Sequence, residues 1–171
     1  MVALAKLLRT IETTPVTIGF LKKRVPTTVD VLAYQQLKGK HRSQLFKGKT
    51  AVIVLIPKKG SKRGHLICMV PRRNHVEYFS SLGNSFESEL AQLNEPLDLF
   101  RNLVGKNYIY NRVKLQSGKY NINSCGAWVL CRAKLAHLKL RDFQQLFSRV
   151  HLNNPDDVVS ALVLLDFLNV D

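Results

Sequence analysis

Residues 51–79 read AVIVLIPKKGSKRGHLICMVPRRNHVEYF, and this stretch decides the fold. Ala51-Val-Ile-Val-Leu-Ile56 is a continuous apolar run, mostly β-branched, that Pro57 ends. That is the pattern of a buried strand. Lys58 to Gly64 has the composition of a turn, and His65 to Val70 is a second apolar strand. Pro71-Arg-Arg-Asn74 is another turn, and His75 to Phe79 a third strand. Three short strands joined by tight turns form an antiparallel meander.

Downstream, Gly83-Asn84-Ser85 stops the meander and caps a helix from Phe86, with Glu87 and Glu89 in its first turn. Pro96 breaks that helix, and Tyr108 to Leu115 reads as a fourth strand. The last third is helical. Ser124 to Leu138 holds good helix formers, and Leu140, Phe143, Leu146, Phe147 and Val150 form an amphipathic stripe. Asn154-Pro155-Asp156-Asp157 starts a helix that runs to about Leu168. Upstream, residues 1–14 read as a short amphipathic helix with Leu4, Leu7, Leu8 and Ile11 on one stripe. Thr27-Thr28-Val29-Asp30 opens an expected helix through Leu37, and Lys38 to Lys49 is a basic loop. The fold class is therefore α+β, a small mixed or antiparallel sheet packed against a helical layer. We expect a single domain over residues 1–171, with 1–27 as an N-terminal docking arm.

Apolar residues make up 46% and charged residues 22% of the chain, a folded rather than a disordered composition. No apolar run approaches the roughly 18–20 residues of a transmembrane helix, so no membrane partner is expected. Lys6 and Arg9 interrupt the only apolar stretch near the start, so no uninterrupted signal-peptide core is expected in that stretch. Three widely spaced cysteines fit neither a disulfide framework nor a zinc ribbon, and no metal or organic cofactor is expected. The implied compartment is reducing.

The net charge of +14 is concentrated in one half of the chain. Residues 1–76 carry 16 Lys and Arg against only Glu12 and Asp30, while the remainder is neutral. Solubility alone does not require acids to be excluded from so long a segment. A phosphate-tracking surface does, because each carboxylate repels the ligand and each cation releases counterions. The candidate contacts are Lys22, Lys23, Arg24, Lys38, Lys40, Arg42, Lys47, Lys49, Lys58, Lys59, Lys62, Arg63, Arg72 and Arg73. With no helix-turn-helix, Cys/His finger or aromatic platform in the sequence, the expected partner is double-stranded DNA, bound non-specifically.

Four residues carry chemistry. Cys125 follows a polar loop and precedes an apolar helical run, which sets it at a helix N-terminus where a thiolate is stabilised. Gly126 lets the backbone approach closely and leaves amide N–H groups to bind an oxyanion. His65 begins a strand, where a ring can face a cleft while the backbone fixes it. Gln116 closes the fourth strand, and its amide can donate to an oxyanion. Taken singly, a cysteine is more often a buried packing residue, and Cys68 and Cys131 fit that description.

Taken together and in order, these residues resemble a known family. Gly64-His65-Leu-Ile-Cys-Met-Val70 followed by Val76-Glu-Tyr-Phe-Ser-Ser-Leu-Gly83, then Leu115-Gln116, Asn123-Ser124-Cys125-Gly126 and Arg132, is similar to the adenain-like cysteine proteases. These include the adenovirus maturation protease, the SUMO-specific proteases and the proteases of virophages and Polinton/Maverick elements. The likeness spans residues 28–168 and is nearest to the virophage and Polinton group. It implies a circularly permuted papain-like fold with Cys125 as nucleophile, His65 as general base and Gln116 with the Cys125 N–H as oxyanion hole. It also implies processing of capsid or core proteins in a virion or in the host cytoplasm or nucleus, by a monomer, with DNA and an activating peptide as cofactors.

Two departures stand out. The acid that orients the histidine in the family falls at Ser80, which can hold an imidazole but cannot balance its charge. Leu66 replaces the usual Trp. Glu77 lies three residues from Ser80, and strand alternation puts it on the opposite face. Three outcomes stay open: a Cys-His dyad helped by Ser80, an enzyme whose His65 is oriented by another group, or a decayed scaffold that binds nucleic acid or capsid. A SUMO-protease-like or deubiquitinase-like enzyme is the remaining enzymatic reading.

Overall fold

A computed structural model describes residues 6, 9, 10, 13, 16–57, 64–93, 95–117, 123–148 and 154–168. The stripe Leu4, Leu7, Leu8 and Ile11, the turn cations Lys58, Lys59, Lys62 and Arg63, and Val150 lie outside the described residues. In chain order the elements are α1 (Ile18–Lys22), β1 (Val29–Ala33), a 3-10 turn (Tyr34–Leu37), α2 (Arg42–Leu45), β2 (Ala51–Pro57), β3 (Gly64–Pro71) and β4 (Val76–Phe79). There follow α3 (Phe86–Leu93), α4 (Asp98–Val104), β5 (Ile109–Tyr110), α5 (Cys125–Lys134), α6 (Leu140–Ser148) and α7 (Pro155–Leu168).

The fold is α+β, with one mixed sheet in the order β1-β2-β3-β4-β5. The antiparallel meander forms as expected, with Ile53 opposite Cys68 and Cys68 opposite Phe79. Both outer strands are parallel to their neighbours. Three sequence expectations change. Residues 27–37 were expected as a helix, but they form β1 and a 3-10 turn. Alternating burial of Val29 and Val31 reflects pairing with β2, which overrides a weak capping signal. The strand expected over Tyr108–Leu115 contracts to Ile109–Tyr110, because Asn111 turns inward to hold other backbone. The basic loop 38–49 contains the single turn α2.

Helices cover both faces of the sheet, not one. Ala51, Ile53, Leu66, Cys68, Val70 and Phe79 face Trp128, Leu130, Phe143, Phe147, Val159 and Val163 of α5–α7. Val52, Val54, Ile56, Ile67, Met69 and Tyr78 face Tyr34, Phe86, Leu90, Phe100 and Leu103. With both faces buried, β2 needs no polar alternation, which explains its unbroken apolar run.

Glu77 joins α5 to the sheet. Its carboxylate accepts from Arg132 Nη2 at 2.6 Å and Arg72 Nη2 at 2.7 Å, and from the Leu140 N–H at 3.2 Å. Arg132 is fully buried. Burial alone would raise the Glu77 carboxyl, but the two guanidiniums outweigh it and hold it below its usual value. Antiparallel pairing of β3 and β4 puts the start of β3 and the end of β4 on one rim of the sheet. The parallel β5 ends on the same rim. The Arg72–Asn74 turn lies at the opposite rim.

Candidate active site

His65 is the second residue of β3, and its position depends on Gly64. A Cβ at Gly64 would lie 2.4 Å from the Ile56 carbonyl oxygen, so only glycine lets the two strands close here. His65 belongs to the face that carries Ile67 and Met69, and so does Ser80, the first residue beyond β4. Both are buried. The ring Nε2 lies 3.2 Å from Ser80 Oγ and 2.9 Å from Glu89 Oε1.

Glu89 is the group that sequence reasoning missed. It lies in α3, only 2% exposed, and accepts from Ser80 Oγ at 3.0 Å and from Tyr78 OH at 2.8 Å. The sequence held a usable signal. In Phe86-Glu-Ser-Glu-Leu90, residue 89 falls three positions after Phe86 and next to Leu90, on the apolar stripe rather than the solvent face. An acid on a buried stripe needs a polar partner, and His65 and Ser80 supply it. Asn111 fixes Ser80 in turn, accepting from its N–H at 2.9 Å and donating to its carbonyl at 2.6 Å. Glu77 lies on the opposite face, as alternation predicts.

The other side of the imidazole meets sulfur. The Cys125 side chain hydrogen-bonds with His65, and the N–H groups of Leu66 and Gly126 also bond it. With Nε2 engaged by Glu89 and Ser80, Nδ1 is the nitrogen left for the thiol. Burial alone would lower the His65 pKa, but the hydrogen bond to Cys125 and the bond and charge of Glu89 override it and raise the value to about 10. Burial would raise the Cys125 pKa, but His65 and the two backbone donors lower it below that of an ordinary thiol. The two directions agree on a thiolate–imidazolium pair. Cys68 and Cys131 are the reverse case: desolvation pushes each thiol up to about 12.

Gln116 is buried near the same rim. Its N–H donates to the Ser81 carbonyl at 2.9 Å, and its Oε1 accepts from Ser81 Oγ at 2.7 Å. These two bonds hold the Gln116 backbone and side chain against Ser81. The structure thus brings Ser80 and Cys125 each into contact with His65 and holds Gln116 beside Ser81. Cys125 opens α5, so its own N–H is among those the helix leaves unbonded. The segment before α1 borders this start: the Asn123 side chain donates to the Thr13 carbonyl at 2.9 Å, and a Cβ on Gly126 would strike Val16 at 2.4 Å.

The basic candidates differ in exposure. Lys22, Lys23, Lys38, Lys40, Lys47 and Arg73 are exposed, and Arg24, Arg42, Lys49 and Arg72 are half-buried. Lys49 pairs with Asp30 at 2.7 Å and Arg72 with Glu77, so these two already serve the fold. Among the described residues no group of three or more His, Cys, Asp or Glu could hold a metal ion.

No family model matches the chain. An uncharacterized protein of Sputnik virophage is 24% identical over 135 residues, covering 68% of this chain and 75% of that protein. Among solved structures, the central domain of an uncharacterized Legionella pneumophila protein superposes with a TM-score of 0.47 at 16% identity, covering 91% of this chain and 99% of that one. ChlaDub1 of Chlamydia trachomatis gives 0.44 at 14% identity, covering 96% and 76%. The C-terminal Ulp1 protease domain, solved with Smt3, the yeast ortholog of SUMO, gives 0.42 at 14% identity, covering 96% and 83%.

Proposed function

We propose that this chain is a cysteine endopeptidase in which Cys125 is the nucleophile, His65 the general base and acid, Glu89 the acid that orients His65, and Gln116 the oxyanion donor. One observation carries the reading: a single buried imidazole bonds the Cys125 thiol on one side and a buried carboxylate, at 2.9 Å, on the other. A thiolate paired with imidazolium is an activated nucleophile. Its attack on a carbonyl carbon forms the S–C bond and moves the π electrons onto oxygen. The Gln116 amide and the Cys125 N–H receive that oxyanion. Collapse expels the amine, which takes its proton from His65. Water then attacks the thioester, gives a proton to His65 and restores the thiolate.

The proposed substrates are capsid or core proteins of a virus or mobile element, trimmed in the virion or in the host cytoplasm or nucleus. The family resemblance and the virophage relative support this setting. The excess of +14 supports non-specific association with double-stranded DNA, which would keep enzyme and substrate together.

Iodoacetamide labelling with mass-spectrometric readout tests the chemistry. At pH 6, Cys125 is expected to alkylate at least tenfold faster than Cys68 and Cys131, and His65→Ala to abolish that advantage. Equal rates at all three cysteines would remove the basis of the proposal. Cys125→Ala is expected to abolish cleavage of a co-expressed capsid protein while leaving DNA affinity unchanged.

A further inference from the structure

Asp156 is the second residue of the last helix and is fully buried. Its carboxylate accepts three hydrogen bonds. One comes from the Ser117 N–H at 2.7 Å, one from Ser124 Oγ, and one from Trp128 Nε1 at 2.8 Å. Its own N–H is held by Asn154 Oδ1 at 3.2 Å, which fixes the turn it sits on. The three donors are informative by position. Ser117 follows Gln116 directly, Ser124 precedes Cys125 directly, and Trp128 lies one turn further along α5. The two oxygens divide the work: Oδ2 takes the Gln116 side, and Oδ1 takes the Cys125 side.

We propose that Asp156 is a positioning residue that sets the spacing between the Gln116 amide and the Cys125 thiol. The inference rests on the endopeptidase reading, since spacing matters only if both groups act on one carbonyl. Gln116 and Cys125 come from separate segments, and a reacting carbon must sit within about 3–3.5 Å of the sulfur while its oxygen meets the amide. One rigid carboxylate bonded to the neighbour of each is a direct way to hold that distance. A buried acid retained only for packing would have no need of donors drawn from both sides of the site.

The test compares two reactions of Cys125. Alkylation by iodoacetamide needs a thiolate but no oxyanion donor. Acylation by p-nitrophenyl acetate passes through an oxyanion; the S–C bond forms, the ester C–O bond breaks and p-nitrophenolate leaves. Asp156→Asn keeps the shape but sets an NH2 against the Ser117 N–H when its oxygen faces Ser124 and Trp128. The acylation rate is expected to fall by about tenfold or more. The alkylation rate and its pH profile should stay within twofold of the parent. In a Gln116→Ala background the same substitution should cost less than threefold, because the donor it positions is gone. Ser124→Ala cuts the tether from the nucleophile side and should show the same selective loss to a smaller degree. It carries the test alone if Asp156→Asn does not fold. Equal loss in both reactions, or a full loss by Asp156→Asn in the Gln116→Ala background, would overturn the positioning role. If Gln116→Ala itself leaves acylation unchanged, the oxyanion assignment fails and takes this inference with it.

Discussion

At the scale of single residues, the orienting group of His65 is the informative case. Ser80 was readable at its place in the motif, and it does contact the ring at 3.2 Å. What a motif cannot show is that a helix packed on the same face supplies a carboxylate to the same nitrogen. Glu89 balances the imidazolium that Ser80 alone would leave unpaired. Substitution by Gln keeps the size and removes the charge. The His65 pKa, now raised to about 10, should fall back toward the ordinary value near 6.5. The sign follows directly: imidazolium is then lost at lower pH, the thiolate loses its partner, and the Cys125 pKa rises. We expect Glu89→Gln to slow alkylation of Cys125 at pH 6 and to lower acylation by about 10². Rate–pH profiles of both reactions check this, and an unmoved alkylation profile would exclude Glu89 from the site. Asp156 teaches the same lesson. It shares a helical stripe with Val159 and Val163, so its burial was legible, but its donors lie 28 to 39 positions away in the chain.

Among the elements, those defined by local pattern were legible, and those defined by distant pairing were not. The β2–β4 meander, the Cys125 helix and the last helix follow from runs, turns and caps in the sequence. β1 does not, because residues 29–33 become a strand only when β2 offers its edge. β5 is short for a related reason: past Tyr110 the chain serves the site instead of the ladder. Leu115 and Gln116 both donate to the Ser81 carbonyl at 2.9 Å, and Gly83 lets this crossing close. Gly83 has φ +76°, and a Cβ there would lie 2.8 Å from Lys114 N and Val113 C. Gly83→Ala is therefore expected to destabilise the protein by about 1–3 kcal/mol. Urea unfolding measures that cost. Because the displaced backbone leads to Gln116, acylation by p-nitrophenyl acetate should fall in the folded variant while iodoacetamide alkylation holds. A variant as stable as the parent would show that the close approach relaxes without strain.

For the whole molecule, the charge of +14 was visible at once, but its arrangement was not. Lys49 and Arg72 are committed to Asp30 and Glu77, whereas Lys22, Lys23, Lys38, Lys40, Lys47 and Arg73 remain exposed. Affinity for a random-sequence DNA duplex, followed by fluorescence anisotropy, is expected to weaken at least tenfold between 50 and 200 mM salt. A flat profile would dispose of the polyanion reading. The two rims of the sheet bear on how such binding would act. His65 lies at the start of β3 on one rim, and Arg73 follows its end at the other, roughly 25 Å away at the usual rise per residue. Around that far turn stand Arg42 on one side and Lys139 and Arg141 on the other. A polymer gripped there would leave the sulfur's approach unobstructed. It would act as a tether that raises local substrate concentration and not as a competitor for the cleft, so short soluble peptides would be cut at the same rate with or without it.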